Sequence, residues 1–306
     1  MHYGTLTYNS NNIAMGYYSM GGNNTWDITN SSNIAIGGYA MVYPSGTSHN
    51  IGIGSNTVGS ANTAGTDGSY NIGIGGYSLT NLEDGSHNCT LGYQALKSGT
   101  TVSNNTAIGF YAMRDATTAA GNVSIGEEVH RFNVSGMNNV NIGYQANQSG
   151  TQNSNVYIGY QAGVSQVTSE GTTAVGFRAG RYPEGSSNTF VGQSAGQGST
   201  TTRTAYSNVG IGRESLMDIT SGYQNTVMGN YAGTNLTTGH ENVLIGYKSA
   251  QAATTLMRES VIIGAQAMNS YTTNSSHGRF TVIGAGAGYT NTSTNTNNNT
   301  NVSTNT

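Results

Sequence analysis

Thirteen carboxylates, six histidines and one cysteine are the groups in this 306-residue chain with the chemistry for catalysis or metal binding. The carboxylates are scattered: Asp27, Asp67, Glu83, Asp84 and Asp115 fall in loop-like segments, and Glu127 and Glu128 are adjacent. A retaining glycosidase needs two carboxylates at close, fixed spacing. Neighbours on one strand point to opposite faces and cannot share a site. Two loops of a repeat fold can still bring distant carboxylates together, so a polysaccharide depolymerase stands as an alternative reading. His49 and His87 each precede an Asn in "SHN", and His240 lies two before Asn242. That recurrence is positional and reads as local hydrogen bonding. No His or Cys partner recurs at ligand spacing, and the glycine-aspartate nonapeptide of calcium β-rolls is absent. "GAGAGY" at Gly284–Tyr289 lacks the P-loop lysine and a βαβ setting. No catalytic, cofactor-binding or metal residue is assigned.

The strongest signal is a repeat. A glycine, mostly within an "IG" pair, recurs at Gly16, Gly37, Gly54, Gly75, Gly92, Gly109, Gly126, Gly143, Gly159, Gly176, Gly192, Gly212, Gly229, Gly246, Gly264 and Gly284, in steps of 16 to 21 residues. A period near 18 over most of a chain is the mark of a stacked array. We number each repeat from this anchor glycine. Position −1 is aliphatic, position −3 is apolar or Thr, and position −2 varies from Ala14 to Asn141, Tyr157 and Phe190. Constrained positions two apart read as a short strand with −3 and −1 buried. By this reading Cys89, at −3, is a buried free thiol, Asn141 tolerates change, and Gly143→Val disrupts stacking. The anchor itself implies positive φ or a close approach of the next turn. Position +3, almost always Ala or Ser, reads as an inward site with little room.

Two further series qualify as site residues. Position −4 is Asn12, Asn33, Asn50, Asn71, Asn88, Asn105, Asn122, Asn139, Asn155, Asn188, Asn208, Asn225 and Asn242. Stacked at a corner, such amides can bond one another and satisfy corner backbone groups. Positions +1 and +2 are rich in aromatics, and these read as the outside of a second short strand. Tyr17, Tyr39, Tyr77, Tyr93, Tyr144 and Tyr160 are the candidates for stacking on a glycan. Among the N-x-S/T triplets, loop residues Asn133, Asn147 and Asn235 are the candidate N-glycosylation positions.

These positions call for an all-β parallel β-solenoid or β-roll of about 16 rungs over residues 1–290, followed by an Asn/Thr-rich low-complexity tail at 291–306 that can supply a strand to a neighbouring subunit. Parallel rungs ~4.8 Å apart make a rod of roughly 70 Å. The segments between motifs vary in length, as loops on one side of a stack do. Composition agrees with such an array. Only 8% of residues are charged, 45 are Gly and 2 are Pro, and the hydrophobic share of 35% suffices for a thin core. A net charge of −3 with no basic run argues against nucleic acid. No apolar stretch reaches the length of a membrane span, no secretory signal pattern opens the chain, and one cysteine excludes internal disulfides.

The unit N-x-x-I-G-x-x-A, as in "NIAIGGYA" (Asn33–Ala40) and "NTAIGFYA" (Asn105–Ala112), resembles the head repeat of trimeric autotransporter adhesins and is similar to the repeat stalks of some phage tail fibres. The resemblance spans Asn12 to Tyr289. It implies a left-handed parallel β-roll, three chains packed together, and a surface that meets host matrix or cells. The turns here are longer than is usual in that family, and no segment reads as a membrane-anchor barrel or a stalk coiled coil. The expected function is a non-enzymatic shaft and binding surface of an extracellular, cell-surface or virion fibre. Its partners are other copies of the chain, as a homotrimer or an end-to-end polymer, and a cell-surface glycan or protein receptor, with neither nucleic acid nor membrane insertion. The alternatives are a subunit of a self-assembling filament and a tailspike-like depolymerase.

Overall fold

A computed structural model describes residues 11–21, 31–42, 47–59, 68–165, 168–182, 185–198, 204–253, 257–270, 279–288 and 299–302. The chain forms two compact units, Met1–Asn153 and Ser154–Thr306. Each is an all-β parallel solenoid, and no helix occurs among the described residues. The first unit carries β1 (Ile13–Met15), β2 (Ile34–Ile36), β3 (Ile51–Ile53), β4 (Ile72–Ile74), β5 (Cys89–Leu91), β6 (Thr106–Ile108), β7 (Val123–Ile125) and β8 (Val140–Ile142). The second carries β9 (Val156–Ile158), β10 (Thr173–Val175), β11 (Thr189–Val191), β12 (Val209–Ile211), β13 (Thr226–Met228), β14 (Val243–Ile245), β15 (Val261–Ile263), β16 (Phe280–Ile283) and β17 (Asn299–Val302). Within each unit, consecutive strands pair parallel and in repeat register, as Val123 with Val140 and Thr173 with Thr189.

Corners bound these three-residue strands. The residue at −5 is left-handed, as at Asn104 (φ 58°), and the anchor glycines have φ between 119° and 146°. The residues at +2 and +4 are left-handed as well, for example Gln94 (φ 55°) and Leu96 (φ 51°). A left-handed non-glycine residue costs roughly 1–2 kcal/mol. The geometry persists because it keeps corner donors paired between rungs. Gly92 N–H donates back to the Ile74 carbonyl (2.8 Å), Gln94 N–H to that of Gly76 (2.9 Å), and Leu96 N–H forward to that of Ala112 (2.9 Å). The second short strand expected at +1 and +2 is therefore absent: the chain turns there. Glu127 and Glu128 sit in such a turn, not on a strand.

The strand faces are the reverse of the sequence expectation. Position −2 is buried and positions −3 and −1 are partly exposed, as in β2, β8 and β14. The alternation correctly shows that two faces differ, but not which one is inside. Positions −2 and +4 vary in a complementary way in many rungs, although Ile262 and Met268 are both large and buried. Small residues at −2 accompany large ones at +4 in Ala35/Met41, Gly73/Leu79, Ala107/Met113 and Gly210/Leu216, all buried where they carry a side chain. Large residues at −2 meet glycine in Tyr157/Gly163 and Phe190/Gly196, where a Cβ on the glycine would run into the ring. The small +3 residues, such as Ala95, Ala112 and Ala146, are fully buried as expected, and residues at +7, such as Leu82 and Leu236, fill the rest of the core. Cys89, on the outward face of β5, is exposed and not buried. Asn141, expected to tolerate change, lies fully inside.

The tail reads from sequence as able to supply a strand to a neighbouring subunit. In this chain its strand β17 lies parallel on β16, with Asn299 against Phe280 and Val302 against Ile283. Residues 299–302 thus occupy positions −4 to −1 of a further, degenerate rung. The rest of the tail, and much of the loop side expected to vary (22–30, 43–46, 60–67, 199–203 and 271–278), lies outside the described residues.

Candidate binding surfaces

The corner asparagines are internal scaffolding. In the first unit each backbone N–H at −4 donates to the Oδ1 of the asparagine one rung earlier, from Asn33 on Asn12 (2.8 Å) to Asn139 on Asn122 (3.0 Å). Each Nδ2 donates to a carbonyl of the following rung, such as Asn105 to Ala119 (2.8 Å) and Asn122 to Gly136 (2.9 Å). In the second unit the series runs through Asn188, Asn208, Asn225 and Asn242, and Ser260 N–H donates to Asn242 Oδ1 (3.1 Å). Asn155 Oδ1 receives the N–H of Thr172, which fills the −4 slot there. From Asn33 onward these amides are almost entirely buried, whereas Asn12 in the first rung is partly exposed.

The outward strand face is the first candidate surface. Across β1–β16 the residues at −3 and −1 are Ile, Val, Leu, Met, Thr or Cys, without a single charge. Leu91 is 47% exposed and Met228 41%. Monomeric proteins rarely leave contiguous apolar surface of this kind open to water.

The aromatic turns are the second. Tyr17, Tyr39, Tyr77, Tyr93, Tyr144 and Tyr160 are all exposed. They do not form a flat platform. Tyr17 meets Tyr39 edge-on (5.6 Å) and Tyr77 meets Tyr93 likewise (5.9 Å), whereas Tyr93 stacks on Phe110 (5.8 Å) and Tyr160 on Phe177 (5.1 Å). Stacked rings cover one another's faces and offer their edges and hydroxyls outward. Basic residues join them: Arg114 and Arg131 both lie over Tyr111, at 5.1 and 5.0 Å from the ring centre, and Arg213 lies over Tyr231 at 5.2 Å. Each such contact contributes about 0.5–1 kcal/mol at an exposed site. The sequence reading missed these cations. The signal for Arg114 and Arg131 was a base at +5, shared by Lys97 and Arg181, whereas Arg213 stands at +1.

The histidines singled out from sequence stack as well. His49 and His87 flank Tyr70 at 4.9 and 5.1 Å, and His240 stacks on Tyr223 at 4.5 Å. No group of three or more His, Cys, Asp or Glu able to hold a metal occurs among the described residues. Several carboxylates are held by arginine: Asp115 by Arg114 (2.7 Å), Glu128 by Arg131, and Glu259 by Arg279 (2.7 Å). Asp218 differs, since burial, and then the charge of Glu214, raise its pKa.

Of the glycosylation candidates, Asn133 and Asn147 are buried and closed to a glycosylating enzyme. Asn133 folds back on Gly136, whose N–H donates to its Oδ1 (2.6 Å). Asn235 is partly exposed. No known protein-family model matches this chain, and comparison with curated proteins gave no match.

Proposed function

We propose that this chain is a non-enzymatic segment of an extracellular, cell-surface or virion fibre, associating side by side with copies of itself as a homotrimer. Its aromatic turns then meet a cell-surface glycan or protein. The observation behind this reading is the uncharged aliphatic face along the strands of each unit. Covering such a face yields about 25 cal/mol per Å², and a face without charge is complementary to itself. The resemblance of the N-x-x-I-G-x-x-A unit to adhesin heads supports three chains. Measuring the mass of the native particle tests the reading. A discrete assembly of three 31.7 kDa chains is expected. An open distribution of lengths would favour the filament subunit instead, and a monomer at all concentrations would overturn lateral association.

The depolymerase reading has one observation in its favour. Glu214 and Asp218 lie four residues apart, and the raised pKa of Asp218 is the property of a general acid. Cleavage of a polysaccharide that is lost in Asp218→Asn would establish that reading, and its absence across a polysaccharide panel would remove it.

A further inference from the structure

The core of the first unit changes character in the rungs anchored on Gly126 and Gly143. In earlier rungs the −2/+4 pair is small or apolar, as in Gly73/Leu79 and Ala107/Met113. Here the pairs are Ser124/His130 and Asn141/Asn147, all four at most 1% exposed. The two rungs lie directly on one another: Ser124 pairs with Asn141 in register, and His130 N–H donates to the Ala146 carbonyl (3.0 Å). Ser124 Oγ stands 3.4 Å from His130 Nδ1. Both amide atoms of Asn141 and of Asn147 have no hydrogen-bond partner in the protein, and His130 Nε2 meets no group in good hydrogen-bond geometry, although the Gly150 backbone pulls on the imidazole.

Five orphaned polar atoms in a closed interior are costly, because each has given up water without a replacement partner. The donors define what can relieve them. They include no carboxylate or thiolate, so a divalent cation would be buried without counter-charge. They include no cation, so an anion fits no better. Burial holds the imidazole neutral, lowering its pKa to about 3 against the opposing pull of the Gly150 carbonyl. What remains is a small neutral molecule able to donate and accept at once. We propose that the rungs of Gly126 and Gly143 enclose an internal water site, held by His130 Nε2 and the side-chain amides of Asn141 and Asn147. Buried waters typically make two to four hydrogen bonds, which three such side chains supply.

The test counts long-lived internal water by magnetic relaxation dispersion, in the wild-type protein and in a dry variant. Ser124→Ala, His130→Met, Asn141→Gly and Asn147→Leu together install the pairs that the same unit already packs at Ala107/Met113 and Gly73/Leu79. Loss of at least one long-lived water with a raised melting temperature is expected. Asn147→Leu alone should lower the melting temperature, because Asn141 stays unpaired. Equal water counts in the wild-type and dry proteins would overturn the proposal. If the dry variant does not fold, a crystal structure of the wild-type protein decides. Solvent density within hydrogen-bond distance of His130 Nε2 supports the site; side chains closed on one another, or a metal ion with anomalous scattering, would refute it.

Discussion

At Gly126 a missing Cβ does two things at once. The residue has φ 141°, and a Cβ would stand 2.5 Å from the Gly143 carbonyl oxygen of the next rung. Gly126→Ala should therefore lower stability by about 2–4 kcal/mol through backbone strain and displacement of that rung, read as a reduced urea midpoint. An unchanged midpoint would mean that the rung contact is not made. Positive φ recurs at every anchor, and hydrogen bonds between rungs recur along the corner Asn series, which is why both were legible in the sequence. His130 was not. It is the only histidine at +4, and its burial follows from the turn geometry, which no local pattern announces. It sets a pH dependence with a definite sign. Its folded pKa of about 3 lies below the ordinary 6.5, so the unfolded chain takes up the proton first. Stability is complete above pH 6.5 and falls with decreasing pH toward 3, at up to about 1.4 kcal/mol per unit. Between pH 7 and 5 the wild-type melting temperature should drop more than that of His130→Gln. Equal slopes would show that the imidazole is not buried neutral.

The element that matters is the rung, and its logic is a pairing across the core. The strand period was plain in the sequence because −3, −2 and −1 alternate in constraint. The inside was misassigned because a compensated position looks free when read alone. Tyr157 beside Gly163 and Phe190 beside Gly196 carry the missing signal, visible only when −2 and +4 are read together. The left-handed +4 position accepts leucine elsewhere, as at Leu216 (φ 51°), so Gly196→Leu fails through collision with the Phe190 ring and not through its backbone. Alone it should cost about 1–3 kcal/mol, and Phe190→Gly alone about 3–5 kcal/mol. Together they recreate the Gly210/Leu216 pair and should recover most of the loss, a strong departure from additivity. Denaturation of the two single variants and the double variant measures it. Additive losses would contradict the pairing.

For the whole molecule, turning the strand faces over changes what the chain offers to others. With −3 and −1 inward, the aliphatic series would have been core. With them outward, the series is surface, which the proposed self-association would cover. The sequence carried the resemblance that implies three chains, but not the surface that would hold them, since composition alone does not distinguish an apolar core from an apolar face. Cys89 is a native reporter on that face. The most direct measurement is its rate of maleimide labelling in the native particle and in Ile108→Lys, which places a charge on the neighbouring outward strand. A protected thiol is expected in the native particle and a freely reactive one in the folded variant. A thiol that reacts in the native particle as fast as in unfolded chain would show that nothing covers the face. One that stays unreactive in a folded, monomeric variant would show that the face was never outward.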